Sequence, residues 1–182
     1  MDSTWTPPDS WRSDGTSFSD VNNLRTTPWS SLLAAKETRP GQSVDVVIKR
    51  FAVPSDVVQV PERVAAEREK FLAAARLHKD LSDVHIKSWV HVFHLSEDPE
   101  NTAFVMKKCG PSLQDYLDNR LALSAKDLYA LVQSVLQGIH ELFERHRRSH
   151  GNLKPSDVLV ACAGEYPPYN LSYPAPKGED HS

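Results

Sequence analysis

Near the C-terminal end of this 182-residue chain stands the sequence His150-Gly151-Asn152-Leu153-Lys154-Pro155-Ser156-Asp157-Val158-Leu159-Val160. Its last three residues are apolar and predict a short strand, and the polar residues before them predict a loop. A long helix precedes the loop, because Ser124 and Asp127 have capping-box spacing and apolar residues recur along one face for about five turns. These apolar residues are Leu128, Leu131, Val132, Val135, Ile139, Leu142 and Phe143.

The loop resembles the catalytic loop of protein kinases, whose usual form is His-Arg-Asp-Leu-Lys-Pro-x-Asn followed by an apolar strand. The residues that match this form are His150, Leu153, Lys154 and Pro155. The kinase arginine is replaced by Gly151, the catalytic aspartate by Asn152 and the metal-binding asparagine by Asp157. The loop is also similar to that of the pseudokinase domains of Janus kinases and the kinase-homology domains of receptor guanylyl cyclases. The resemblance implies an α+β, protein-kinase-like fold whose chemistry is altered.

The composition is compatible with one soluble globular domain. Hydrophobic residues make up 40% of the chain and charged residues 25%, and the formal net charge of −3 gives no reason to expect nucleic acid or an anionic membrane surface as a partner. No apolar run is long enough to span a bilayer, and the polar N-terminus is no signal peptide. The two cysteines are too few for a disulfide framework or a cysteine zinc site, so we expect an intracellular location.

Residues 22–110 can be aligned with the N-lobe of a kinase. The segment Val46-Val47-Ile48-Lys49 is similar to the Val-Ala-Ile-Lys motif, which implies that Lys49 pairs with phosphates. Val47 then stands where kinases have an alanine against the adenine ring, and the larger side chain would narrow that pocket. An amphipathic helix is predicted from Pro61 to His78 and corresponds to the kinase αC helix, with Glu67 on its inward face as the expected partner of Lys49.

The resemblance places the glycine-rich loop within residues 24–35, but the glycines are missing. The positions where kinases have glycine are held by Arg25, Thr27 and Ser30. A Cβ at these positions obstructs the approach of backbone N–H groups to phosphates, and Pro28 removes one such donor. Trp29 falls at the aromatic position of the loop and could fold over the cleft. The segment therefore predicts a strand pair that binds phosphate poorly.

Two further strands are predicted at residues 84–93 and 103–106, on either side of a turn at residues 96–101. The kinase resemblance then makes Met106 the gatekeeper. It makes Cys109 the hinge residue whose backbone would meet an adenine edge. Residues 114–120 would form the next helix, and Leu159 would line the floor of the cleft.

The two ends of the chain are the least regular parts. Residues 1–21 carry little apolar periodicity and predict a flexible tail. Residues 111–182 would form part of a kinase C-lobe, ending in a strand hairpin. The magnesium-binding motif of that hairpin falls on residues 170–172 or on residues 173–175, and neither register supplies an aspartate. The sequence ends before the later C-lobe helices of kinases, and whether the chain continues beyond Ser182 stays open.

The positions at which the sequence differs from the kinase pattern are those with a chemical role in kinases rather than those that pack the fold. The Asn152 amide cannot accept a proton as a catalytic carboxylate does, which leaves Lys154 as the matching residue beside it. Asp157 is a weak metal ligand by itself. We therefore expect an inactive pseudokinase that acts as an interaction, scaffold or regulatory module, requires no cofactor and binds ATP and Mg²⁺ weakly at most. The alternatives are a slow ATP-binding Ser/Thr-type kinase and a truncated fragment without a function of its own. Protein partners are expected, including self-association through the helix at residues 126–144.

Overall fold

The computed structural model describes Pro8, Trp11 and residues 15–84 and 88–160. This part of the chain is α+β, as expected, with a five-stranded antiparallel sheet in the order β1-β2-β3-β5-β4. The strands are β1 (Ser17–Thr27), β2 (Ser30–Arg39), β3 (Gln42–Phe51), β4 (Val92–Ser96) and β5 (Ala103–Lys107). The helices are α1 (Pro61–Val84), α2 (Leu113–Asp118) and α3 (Ala125–His146). No described helix has both the length and the apolar character needed to cross a membrane.

Tight turns set the register of the first three strands. Pro28 and Trp29 connect β1 to β2, so the predicted strand pair is confirmed. Gly41 has a φ of +80°, which few other residues adopt, and completes the turn between β2 and β3. Side chains of β3 then alternate. Val46 and Ile48 are fully buried on one face, while Val47 and Lys49 point to the other.

The helix α1 covers part of the sheet near β4. Pro61 begins the helix, where its missing N–H has no cost. On the face toward the sheet, the helix buries its residues Leu72 and Ala75. The ring of Phe71 lies between those of Phe51 and Phe104, with centroids 5.8 and 5.7 Å away. The helix therefore joins the sheet through an aromatic row that reaches from the end of β3 to β5.

The predicted strand over residues 84–93 is wrong at its beginning. Helix α1 continues to Val84, and strand β4 begins only at Val92. The helix is extended by tertiary contacts, because Leu81 is fully buried and the buried Ser82 hydroxyl accepts a hydrogen bond from the Val92 N–H at 3.1 Å. Packing of the end of α1 against β4 therefore sets the boundary between helix and strand.

The prediction of a flexible tail over residues 1–21 is also wrong for Trp11 and for the residues from Ser17 onward. Ser17 begins β1, and Trp11 is 5% exposed within the core cluster of the sheet. The Trp11 ring lies 5.9 Å from the ring of Phe18 and 5.5 Å from that of His94. Burial of this large aromatic side chain anchors a segment whose local composition is polar.

The second part of the chain consists of helices and a loop. Ser112 caps α2 through a capping box with Asp115, and Ser124 caps α3 by accepting from the Asp127 N–H at 3.1 Å, as predicted. Helix α2 begins and ends close to the predicted bounds. Helix α3 approaches the sheet side of the molecule at Gly138, where an added Cβ would lie 3.4–3.5 Å from Ser88 and Trp89.

The loop after α3 is held against the start of α2. A 3-10 turn covers Pro155–Asp157, after which Val158 accepts from the Leu113 N–H at 2.8 Å. The predicted strand at residues 158–160 is an isolated antiparallel bridge between Leu159 and Ser112, not a longer strand. The predicted hairpin, with both possible positions of the magnesium motif, lies outside the described residues.

We call residues 15–84 and 88–107 the sheet half and residues 111–160 the helical half. The sheet half contains all five strands and α1, and the helical half contains α2, α3 and the loop. Residues 108–110 connect them.

Candidate functional site: a cleft between the two halves

A cavity of about 860 Å³ opens between the sheet half and the helical half. Its size is typical of sites that take a small organic molecule. Eight of the nine site residues expected from the sequence line it: Val47, Lys49, Met106, Cys109, Asn152, Lys154, Asp157 and Leu159. The ninth, Glu67, does not appear among the lining residues. Residues far apart in the sequence are thus brought to one place.

Lys49 lies on the wall that the sheet provides. Its neighbours across the strands are Leu32 and Phe104, and its Nζ atom is 6.0 and 5.9 Å from the ring centroids of Phe71 and Phe104. Burial lowers the pKa of Lys49, and the negative charge of Asp157 on the other side of the cavity partly opposes this. Aromatic faces attract the ammonium group weakly, so the lysine is held among apolar groups and forms no ion pair with a carboxylate in the described part of the chain.

The expected ion pair between Lys49 and Glu67 is not formed among the described residues. The Glu67 Oε1 atom instead accepts a hydrogen bond from Lys70 Nζ at 2.6 Å, one turn farther along α1. The helix face nearest Lys49 carries the Phe71 ring. The Glu67–Lys70 ion pair lies within one turn of the helix (i,i+3) and competes with a pair between Glu67 and Lys49. In this structure the local pair forms.

The turn between β1 and β2 offers few hydrogen-bond donors to a ligand. Pro28 has no N–H, and the Ser30 N–H already donates to the Thr27 hydroxyl at 3.1 Å. Trp29 does not cover the cleft: its ring stacks on Phe51 with centroids 6.0 Å apart, and the Arg63 guanidinium lies over it. The structure therefore has a closed hairpin tip where a phosphate cradle would need open N–H groups.

The loop forms the opposite wall. Asn152 and Lys154 are exposed and line the cavity, and the Asp157 carboxylate accepts from the Lys154 N–H at 3.3 Å. This contact orients Asp157 within the 3-10 turn. No group of three or more His, Cys, Asp or Glu side chains with the geometry of a metal site occurs in the described ranges. For a cation, Asp157 would be a single carboxylate ligand.

The connection between the halves forms one end of the cleft. The Cys109 thiol is half-buried, its pKa is raised by burial, and its Sγ atom is 3.8 Å from the Lys107 carbonyl oxygen. An added Cβ on Gly110 would come within 2.5 Å of the Val160 carbonyl oxygen. Gly110 therefore permits the close approach of the connection to the end of the loop. The sequence offered a signal for this role in the Gly110-Pro111 pair, but it was missed.

The sheet wall also contains residues that the sequence reasoning missed. Leu24 and Leu32 line the cavity beside Val47, and Leu131 and Val135 of α3 line it from the helical side. Leu32 is the cross-strand partner of Lys49, so strand register could have identified it once the hairpins were known. These residues add apolar surface to a cleft that also contains charged side chains, and small-molecule sites commonly combine the two.

Comparison with known proteins does not assign this cleft to a family. No family model matches the chain, and no curated protein matches it. The cavity wall combines apolar side chains with the Lys49 ammonium group on the sheet side and the Asn152 amide, the Lys154 ammonium group and the Asp157 carboxylate on the loop side.

Proposed function

We propose that this chain is a protein-kinase-like domain that does not transfer phosphate and acts as an interaction or regulatory module. The observation that carries the proposal is the composition of the cleft. Lys49, Asp157 and Asn152 face one cavity, and the residue that the resemblance aligns with the catalytic base is an amide.

The arrangement of elements supports the kinase-like part of the proposal. A five-stranded antiparallel sheet has one long helix inserted after its third strand, and a short connection leads from β5 into the helical half. The cavity lies between the halves, beside this connection. The loop that resembles a kinase catalytic loop provides the wall opposite Lys49.

Three features favour the absence of phosphoryl transfer. Asn152 has no carboxylate to accept the hydrogen of a substrate hydroxyl. Glu67 is bound to Lys70, so Lys49 lacks the carboxylate partner that holds the phosphate-binding lysine in kinases. The hairpin tip at Pro28 presents few free N–H donors. Phosphoryl transfer depends on positioning and charge stabilisation, and each feature weakens one of these.

A second candidate function is slow phosphoryl transfer from ATP. It is favoured by the electrostatic interaction between Lys49 and Asp157 across a cavity large enough for a nucleotide. In this case Lys49 would contact phosphate oxygens and Asp157 would contact Mg²⁺. The two candidates differ in whether nucleotide binds and whether label is transferred.

Thermal unfolding in the presence of ATP and Mg²⁺ tests the binding step. A ligand at a hundredfold excess over its Kd stabilises a protein by about 2.7 kcal/mol, which moves the melting temperature by several degrees. We expect no such shift at micromolar ATP. A clear shift that disappears in Lys49→Ala, but persists in the control Lys36→Ala on the exposed side of β2, would reject weak binding and favour the second candidate.

A further inference from the structure

Helix α3 leaves a continuous row of large apolar side chains exposed. We call this row the α3 stripe, and its side chains are between 39% and 70% exposed. Its members are Leu128, Tyr129, Val132, Leu136, Ile139 and Phe143. Single exposed apolar residues are ordinary on a protein surface, but a contiguous row of six on one helix indicates a binding surface.

The α3 stripe extends from the edge of the cleft, which Ile139 lines, onto the outer surface of the helix. Gly138 and Leu142 are buried on the adjoining face of the helix, where Gly138 meets Ser88 and Trp89. The spacing from Tyr129 to Phe143 alternates between three and four residues, which is the spacing of a helix that packs along a second helix. At 1.5 Å per residue, the stripe is about 22 Å long.

The apolar residues of the stripe are spaced almost symmetrically about its centre. Four residues separate Leu128 from Val132, and four separate Ile139 from Phe143. A second copy in antiparallel orientation would therefore place Leu128 against Phe143 and Val132 against Ile139. Leu136 then lies next to the two-fold axis. An isologous interface requires this self-complementarity, because the same surface must serve both partners.

The charges beside the stripe fit the same orientation. Lys126 and Glu144 are both exposed and are 18 residues apart, about five helical turns, so they lie on the same flank of α3. In the antiparallel pair, Lys126 of each copy faces Glu144 of the other. A parallel pair would instead place like charges at corresponding positions, which is unfavourable. Within its own chain, Glu144 reaches only Arg147, at 3.6 Å, among the described contacts.

From these observations we infer that two copies of the chain associate through the α3 stripe as an antiparallel helix pair with two-fold symmetry. If a large side chain exposes about 200 Å² when fully accessible, the stripe leaves on the order of 600 Å² uncovered in each copy. Burial of both stripes would then remove about 1,200 Å² from water, at the lower end of specific interfaces. The dimer is therefore concentration-dependent. It requires neither ATP binding nor the proposed kinase-like function.

Sedimentation of the full 182-residue chain over a wide concentration range tests the dimer, with Leu136→Glu as the disrupting variant. This change puts a charge beside the two-fold axis at a position that is exposed in the monomer, so it leaves folding intact. We expect a monomer–dimer equilibrium for the unchanged chain and a dissociation constant at least tenfold higher for Leu136→Glu. Ala130→Glu is the matched control, because Ala130 is exposed on α3 about 120° away from Leu136.

Cysteine cross-linking tests the orientation. In a background of Cys109→Ala and Cys162→Ala, the variants Leu128→Cys and Phe143→Cys are mixed and oxidised. The antiparallel pair predicts that the mixed disulfide between positions 128 and 143 exceeds the 128–128 and 143–143 products. Lys126→Glu is expected to weaken the dimer by about three- to tenfold, and addition of Glu144→Lys to restore it.

Three results would overturn the inference. The first is a chain that stays monomeric at every concentration, which would mean that another segment or another protein covers the stripe. The second is an equal effect of Leu136→Glu and Ala130→Glu on the dissociation constant. Aggregation that persists unchanged in both variants counts as this result. The third is a predominance of 128–128 and 143–143 disulfides, which would contradict the antiparallel orientation.

Discussion

The sheet half and the helical half bury apolar residues to very different extents. Among the described residues, the buried apolar side chains come almost entirely from the sheet half and Trp11, and the helical half contributes only Leu142 and Val160. The sheet has partners on both faces, since Trp11 packs on one side and α1 on the other. Helix α3 has apolar residues over about half of its circumference, and only part of this arc is buried against the molecule. The number of covered faces, rather than apolar content, distinguishes the two halves.

The two long helices show the same difference at the level of single side chains. Helix α1 has 24 residues and α3 has 22, so length does not explain it. The outer surface of α1 carries ion pairs such as Arg76–Glu97, at 2.6 Å, and Lys79–Asp83, at 3.0 Å. The outer surface of α3 carries the α3 stripe. Helix α1 is therefore adapted to water on its outer side, and the exposed apolar side chains of α3 are the basis of the proposed dimer.

The largest expected effect comes from shortening matched leucines in the two helices. Leu81 of α1 is fully buried and Leu136 of α3 is 61% exposed. Leu81→Ala should lower the free energy of unfolding by about 2–5 kcal/mol, because it removes buried contacts and leaves a cavity. Leu136→Ala should cost less than about 0.5 kcal/mol in the monomer. Urea unfolding at low protein concentration measures both. Equal losses would show that the stripe is covered within the monomer.

A smaller difference in unfolding free energy is expected when two hydrogen-bonding serines, one buried and one exposed, are each changed to alanine. The Ser82 hydroxyl is fully buried, donates to the Lys79 carbonyl and accepts from the Val92 N–H. Ser82→Ala should cost about 1–3 kcal/mol, because the Val92 N–H loses its partner away from water. Ser124→Ala removes only the exposed cap of α3 and should cost about 1 kcal/mol.

The same unfolding measurement decides this second prediction. If Ser124→Ala were the more damaging of the two changes, the helical half would contribute more to cooperative unfolding than its burial indicates. Amide hydrogen exchange at Val92 should accelerate in Ser82→Ala, because this N–H donates to the Ser82 hydroxyl, and should stay unchanged in Ser124→Ala.

The smallest effect at neutral pH concerns His78, whose influence appears only on acidification. Burial lowers the pKa of His78 below its usual 6.5, although its hydrogen bond to the Val90 carbonyl opposes this. The unfolded chain therefore takes up a proton before the folded chain does. Stability should be complete above about pH 6.5 and should fall as the pH decreases from there toward the pKa of the folded state.

Comparison with a histidine of the helical half sharpens this prediction. His78→Gln should flatten the dependence of unfolding free energy on pH between 7.5 and 5, within the range where histidine titrates. His140→Gln changes an exposed position on α3 and is the matched control. A slope that is insensitive to His78→Gln would assign the acid sensitivity to other groups, such as His91, whose pKa is also lowered by burial.

Local patterns in the sequence predicted those parts of the fold that local chemistry determines. The strand pair around Pro28 and the Ser124 cap each depend on neighbouring residues, and each is present in the structure. Contacts between distant residues could not be predicted in this way. Burial of Trp11 against the sheet and the extension of α1 to Val84 both follow from tertiary packing.

The candidate site shows the same limit. Eight of its nine expected residues line the cavity, because the kinase resemblance supplied a long-range arrangement that periodicity alone could not. Glu67 was misassigned as the partner of Lys49, since helical periodicity places it inward but does not reveal competition from Lys70. Leu24 and Leu32 could be recognised as lining residues only after the strand register was known.

Transfer of the labelled γ-phosphate of ATP, in the presence of Mg²⁺, is the most direct test of the proposed function. We expect no time-dependent label on the chain or on added protein substrates, either for the unchanged chain or for Asn152→Asp. A restored carboxylate still lacks a Glu67 contact to Lys49 and an open hairpin tip, and groups that act as a catalytic unit do not contribute additively. Label transfer that is lost in Lys49→Ala and retained in Lys36→Ala would contradict the account.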